Sequence, residues 1–368
     1  MTERSAQSDS ELHVRQAFLS QAAYCDQLGS PFTATLCRTL GQGLERSSAI
    51  EEEIFAWRGD PGPHADSVPL RVAGALHYLV RAGRAAELAQ LYPPHALPDP
   101  ARLLAAARRL LREDAAFVHE FLRHPPQTNE IGRSAALIAG WLEIAARTRQ
   151  PLHLFELGAS AGLNLIAERY AYRFGEVSWI AARDGREGAR AEPAALTLKC
   201  GWTGASPAVQ APLSVRSRRG CDRHPLNVAD PAQRERLMAY VWADQTERLA
   251  RLEAAIVAMR ANSVSIVRAD AADWIESVLP PSAQPGVTRV VFHSVFWSYL
   301  DRTSQERIAK CLTAVGATAS GDAPLAWLRF ELGTKDEPAS LGLTLWPGGA
   351  DERLARAHPH GAWVRWER

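Results

Sequence analysis

Between residues 11 and 122, apolar positions recur at steps of three and four, the spacing that gathers them on one side of an α-helix. Leu103, Leu104, Ala107, Leu110, Leu111, Ala115 and Val118 show it most clearly, with Arg108, Arg109, Arg112 and Glu113 between them. Pro61, Pro63, Pro93, Pro94, Pro98 and Pro100 cut the pattern into short helices, and no run reads as a strand. The pattern predicts a helical N-terminal cap domain over residues 1–124, without a motif that carries chemistry.

The character changes at Pro125-Pro126. A polar break, Gln127-Thr128-Asn129-Glu130, precedes a helical pattern over 133–147. Apolar runs at 152–157, 263–267, 288–292 and 325–330 then alternate with helical patterns at 163–172, 231–260 and 304–315. Continuous apolar runs suit strands buried on both faces, and their alternation with helices predicts a doubly wound, mostly parallel α/β sheet. Runs at 343–346 and 362–366 suit a closing antiparallel hairpin. Residues 173–213 break the rhythm with Gly, Pro, charge and β-type residues, and are expected to be an inserted hairpin or flap. The second domain is thus expected over 125–368.

Composition narrows the partners. The formal charge of +1, from 42 basic and 41 acidic residues, gives no overall electrostatic case for nucleic acid or an anionic membrane. Only Lys199, Lys310 and Lys335 are lysines, a bias attributable to base composition. The five cysteines (Cys25, Cys37, Cys200, Cys221, Cys311) show no metal spacing, and the polar N-terminus has no export core, so a cytoplasmic protein with reduced thiols is expected. His358-Pro-His360 is the one close histidine pair, and without nearby cysteines it predicts no metal.

Chemistry concentrates in FELGASAG, residues 155–162, where an apolar strand passes into a helical pattern. Small residues allow a tight turn and close approach of a ligand. Glu156, two residues before the first glycine, repels a pyrophosphate and suits a cationic amino-acid ligand. An acid followed by alternating glycines resembles the class I methyltransferase signature, which Glu156, Gly158 and Gly162 match. Ser160 replaces its middle glycine, which requires an ordinary backbone conformation there. Gly158, Ala159, Ser160, Gly162 and Asn164 are the resulting candidates for binding S-adenosylmethionine.

Strand-end acids extend the site. Asp184 and Asp222 are alternatives for a ribose diol, and Asp222 is preferred because Gly220-Cys221-Asp222-Arg223-His224-Pro225 reads as a strand-end turn. In VSIVRADAADW, Asp270 could accept from an adenine amino group and Ala271 donate its N–H, although Asp270 or Asp273 could equally cap the next helix. His293 and Ser294 should lie beyond another strand end, near the methyl, with His293 the candidate base. Tyr299 and Glu331 are weaker candidates for the same cavity.

QTNEIGRSAALIAGWLEIA, ELGASAGLNL, RRGCDRHPLNVADP, VWADQTERLARLEAAI and VVFHSVFWSYL together resemble an uncharacterised bacterial domain family with a class I methyltransferase-like region. That resemblance implies a Rossmann-like fold, S-adenosylmethionine as cofactor, and Gln127, Asn129, Glu130 and Arg133 along the pocket. Glu130 joins His293 and Tyr299 as a candidate catalytic group. The expected activity is methyl transfer to a small molecule, with a binding protein lacking turnover as the alternative. GASAGLN is also close to the turn of short-chain dehydrogenases, but no lysine stands four residues after a tyrosine, as that family requires.

Overall fold

The computed structural model describes residues 3–63, 65–180, 196–262, 264–279, 284–334 and 337–368, with side chains from residue 9 onward. The chain divides into two compact units, Met1–Thr128 with Asp230–Ala250, and Asn129–Ala229 with Arg251–Arg368. No helix among the described residues is long and apolar enough to cross a membrane.

The first unit is helical, with no strand among its described residues. Local sequence sets the helix starts: the Ser48 side chain accepts from the Glu51 N–H, and Asp99 accepts from Arg102 immediately before Pro100. Leu103, Ala107, Leu110, Leu111 and Val118 are buried, as the periodicity predicts, while Leu104 and Ala115 are partly covered. The later segment joins this core through Tyr240. Its ring is 5.4 Å from that of Phe121 and packs so closely on Gly74 that a Cβ there would stand 2.8 Å away. Within the core, His77 donates from Nδ1 to the Ala239 carbonyl at 3.1 Å. Burial, assisted by the charge of Arg81, lowers its pKa to about 4.

The second unit carries the sheet. Its strands are β1 (Leu152–Leu157), β2 (Ala171–Phe174), β3 (Val177–Trp179), β4 (Thr197–Thr203), β5 (Val215–Asp222), β6 (Ser265–Arg268), β7 (Thr288–Ser294), β8 (Leu325–Glu331), β9 (Ala339–Trp346), β10 (Asp351–Ala357) and β11 (Trp363–Trp366). They lie in the order β3-β2-β4-β11-β10-β9-β8-β7-β1-β5-β6. The run β8-β7-β1-β5-β6 is parallel throughout. From β1 the chain reaches β5 on one side, whereas β7 and β8 lie on the other, so the strand order reverses between β1 and β7. On one face, Phe155, Leu157, Val291 and Leu325 share a core with Ala272 and Ile275 and with Ile308 and Leu312. Against the opposite face, Trp141 of the helix Ser134–Thr148 meets Phe292 edge-on at 5.3 Å.

Several expectations are corrected. Residues 163–172 do not form an α-helix. Leu163–Arg169 is a 3₁₀ segment kinked at Ile166, and the chain enters β2 directly after it. The 173–213 stretch does include an antiparallel hairpin, β2 with β3, but β4 joins the main sheet between β2 and β11. The C-terminal hairpin is a three-strand meander, β9-β10-β11. The helical pattern over 231–260 splits into Pro231–Ala239 and Thr246–Arg260.

Candidate functional site

Three residues of the turn after β1 take left-handed backbone: Gly158 (φ +68°), Ser160 (φ +53°) and Gly162 (φ +73°). Ser160 therefore lacks the ordinary conformation that its side chain favours, a departure from the expectation and a local strain. Close packing accounts for the two glycines. A Cβ at Gly158 would stand 2.2 Å from the Phe296 ring, and one at Gly162 would stand 2.6 Å from Ile266. Asp222, at the end of neighbouring β5, ties the turn down. Its Oδ2 accepts from the Ser160 N–H and its Oδ1 from the His224 N–H, each at 2.8 Å. Asp222 is thus adjacent to the turn, while Asp184 lies outside the described residues.

Glu156 lies beneath this turn and is only 2% exposed. Its Oε2 has no hydrogen-bond partner among the described residues. Burial, reinforced by the charge of Asp222, pushes its carboxyl well above the ordinary carboxylate range. The candidates that flank the turn in sequence are bonded within the protein. The Leu163 N–H donates to Asn129 Oδ1 at 2.9 Å, and Ser134 Oγ donates to Asn164 Oδ1 at 2.7 Å. Glu130 caps Ile131–Arg133, accepting from the Gly132 N–H at 2.9 Å, and pairs with Arg251 at 4.0 Å. Arg133 donates to the Pro359 carbonyl at 2.9 Å. Gln127 falls in the other unit.

His293 is the penultimate residue of β7, not beyond its end as expected, and is fully buried. Trp327 donates its indole N–H to His293 Nε2 at 3.2 Å, which places the ring proton on Nδ1, bonded to Glu331 Oε1 at 2.6 Å. Glu331 also accepts from the backbone N–H groups of Phe296 and Trp297. Both imidazole nitrogens are therefore engaged by protein, and neither offers a lone pair to a substrate. Ser294 is half-buried and is followed by Val295 in left-handed backbone (φ +50°), a rare state for a β-branched residue. Tyr299 stands 59% exposed on the surface.

Asp270 adopts the capping role. Its Oδ1 accepts from the Ala272 N–H at 2.9 Å, and Arg223 holds its Oδ2 at 2.6 Å. Burial raises its pKa, but Arg223 and the helix N–H groups outweigh this and leave it lowered. Ala271 opens that helix, buried. A cleft of about 560 Å³ borders the turn, lined by Ala161, Leu226, Asn227, Met259 and Ile266 but not by Glu156. Arg223, Arg251, Phe296 and Trp327 are participants that sequence reasoning missed. All but Trp327 lie in the strings that carry the resemblance, and an arginine beside acids was the available signal. Among the described residues, no cluster of three or more His, Cys, Asp or Glu could hold a metal.

Fold and site define an α/β protein with a mostly parallel sheet and chemistry-bearing residues gathered at strand carboxyl ends. The chain belongs to the family described as "Uncharacterized protein conserved in bacteria (DUF2332)", which matches residues 15–366. No curated protein matches it.

Proposed function

We propose that the second unit binds S-adenosylmethionine at the carboxyl ends of β1 and β5 and transfers its methyl group to a small molecule. One observation carries this reading: the buried Glu156 carboxyl with an oxygen left unpartnered beneath the strained turn. A buried acceptor without a partner costs about 1–3 kcal/mol, which a cationic or N–H-bearing ligand would recover. Position agrees, because ligands of such sheets sit beyond the strand carboxyl ends and β1 is one of the two strands that flank the point where the order reverses.

The residues present fit the donor. Glu156 would face its cationic amino-acid portion, and Asp222 would hold the ribose. When bound, the donor supplies an electrophilic methyl: an acceptor lone pair bonds to carbon as the carbon–sulfur pair withdraws to sulfur. The chain's contribution is alignment and exclusion of water. Phe296, packed over Gly158, and the Glu331–His293–Trp327 array beside it give that end of the sheet a fixed wall. His293 is assigned there as a positioning residue.

A dinucleotide fits less well. The seven-residue 3₁₀ segment after the turn provides no α-helix N-terminus to hold a pyrophosphate. Binding without turnover is the second reading, favoured by the engagement of both His293 nitrogens. Titration calorimetry with S-adenosylmethionine, its demethylated product and NADP tests the proposal. Binding of the first two, weakened tenfold or more by Glu156→Gln, is expected. Binding of NADP alone would overturn it.

A further inference from the structure

The sheet face that packs on Ala271–Val278 and Arg302–Gly316 continues well beyond them. Register carries it from Trp327 and Arg329 on β8 through Ser340 on β9 and Arg356 on β10 to Arg365 and Trp363 on β11. From there it passes to Gly201 and Lys199 on β4 and Arg173 on β2. On these outer strands the face is polar and open to solvent: Arg173, Ser178, Thr197, Lys199, Thr203 and Arg365 are all exposed.

Charge on this surface is unbalanced. Arg173 lies directly across from Lys199, and Arg356 directly across from Arg365. Like charges in such cross-strand positions destabilise a sheet. Glu367 partly relieves the second pair, because its one carboxylate bonds Arg353 at 2.7 Å and Arg356 at 3.2 Å and lies 3.7 Å from Arg365. Arg173 and Lys199 form no ion pair among the described residues. Between the two cationic pairs stands Trp363, 40% exposed, in register with Gly201, which presents no side chain to it. A net charge of +1 for the whole chain conceals this concentration.

We propose that this face binds single-stranded nucleic acid, with backbone phosphates on Arg173, Lys199, Arg356 and Arg365 and a base stacked on Trp363. A polyanion would offset the repulsion between Arg173 and Lys199 and that part of the Arg356–Arg365 repulsion that Glu367 leaves. An exposed indole among them selects a polyanion that also carries flat rings. A single strand offers both, whereas a duplex keeps its bases stacked inside, and an acidic peptide or anionic lipid has no base to offer. The surface is separate from the donor site, and neither reading depends on the other.

The test is fluorescence anisotropy of a labelled oligothymidylate of about 15 nucleotides with the full chain, over a salt series. Lys199→Glu should weaken binding at least tenfold and flatten the dependence of log K on log salt by about 0.7 per lost phosphate contact. Trp363→Ala should weaken binding by about tenfold or more without changing that slope. Lys199→Arg should bind as the parent does. The proposal is overturned if the oligonucleotide fails to bind at low salt or if both weakening variants match the parent. It is equally overturned if a duplex of the same length, polyglutamate or phosphatidylserine vesicles bind as tightly as the single strand.

Discussion

At the scale of single residues, the carboxyl ends of β1 and β7 each hold a strained position, while Ser67 and Arg149 are left-handed elsewhere in the chain. Ser160 and Val295 both take left-handed backbone, one at the carboxyl end of β1 and the other at that of β7. A non-glycine residue there costs roughly 1–2 kcal/mol, so Ser160→Gly should stabilise the unliganded protein by up to about 1 kcal/mol, part being offset by glycine's larger chain entropy. Denaturant unfolding of the two proteins would show it, and equal midpoints would refute the assignment of strain. Sequence located this turn correctly because ELGASAG joins an apolar run to small residues. Backbone angle was beyond its reach: Ser160 depends on Asp222, sixty-two positions away, accepting its N–H. His293 was found by the same logic of strand ends. Its engagement by Trp327 and Glu331 follows from side chains two positions to either side of Arg329, its register partner on β8, visible only once β7 and β8 are paired.

Among elements, legibility follows burial. β1 and β7 run through apolar stretches covered on both sides, and β8 is buried on one side and half-buried on the other, so their sequences read as strands without tertiary help. β2, β3 and β4 alternate buried with exposed positions in short pieces, so the segment reads as a flap until its partners are known. Besides the Asp222 bond to Ser160, a close packing contact links β5 to the turn. A Cβ on Gly220 would stand 2.8 Å from the Ala159 Cβ and 3.0 Å from Leu165. Gly220→Ala should therefore cost about 1–3 kcal/mol and weaken donor binding, since the methyl must displace the turn itself. Unfolding and calorimetric titration of the variant check both effects. A variant with normal stability and affinity would mean the turn is free to move.

Across the whole molecule, the two units carry buried titratable groups of opposite sense. His77 in the helical unit has a folded pKa of about 4, below its ordinary 6.5, so the unfolded chain binds the extra proton. Its contribution to stability is lost as pH falls from 6.5 through 4. Glu156 is raised above its ordinary 4.5, so the folded chain holds the proton and its contribution is lost as pH rises from 4.5. Relative to the parent, His77→Gln should flatten the acid-side loss of stability, and Glu156→Gln should remove a loss that grows toward neutral pH. Unfolding free energies of the three proteins measured from pH 4 to 7.5 would distinguish these slopes; parallel curves would contradict both. Sequence foresaw a helical part and a sheet part, but not that residues 230–250 return to the helical core, because Tyr240 against Gly74 is a meeting no local pattern announces. The sheet's winding also orders events in time. β4 has β2 on one side and β11 on the other, and β11 begins about 160 residues after β4 ends. At the usual pace of synthesis, on the order of ten seconds pass before that partner exists. Until then the edge of β4 that β11 covers has no partner, and the exposed Lys199 on β4 is the kind of charge that keeps such an edge from pairing with a neighbouring chain.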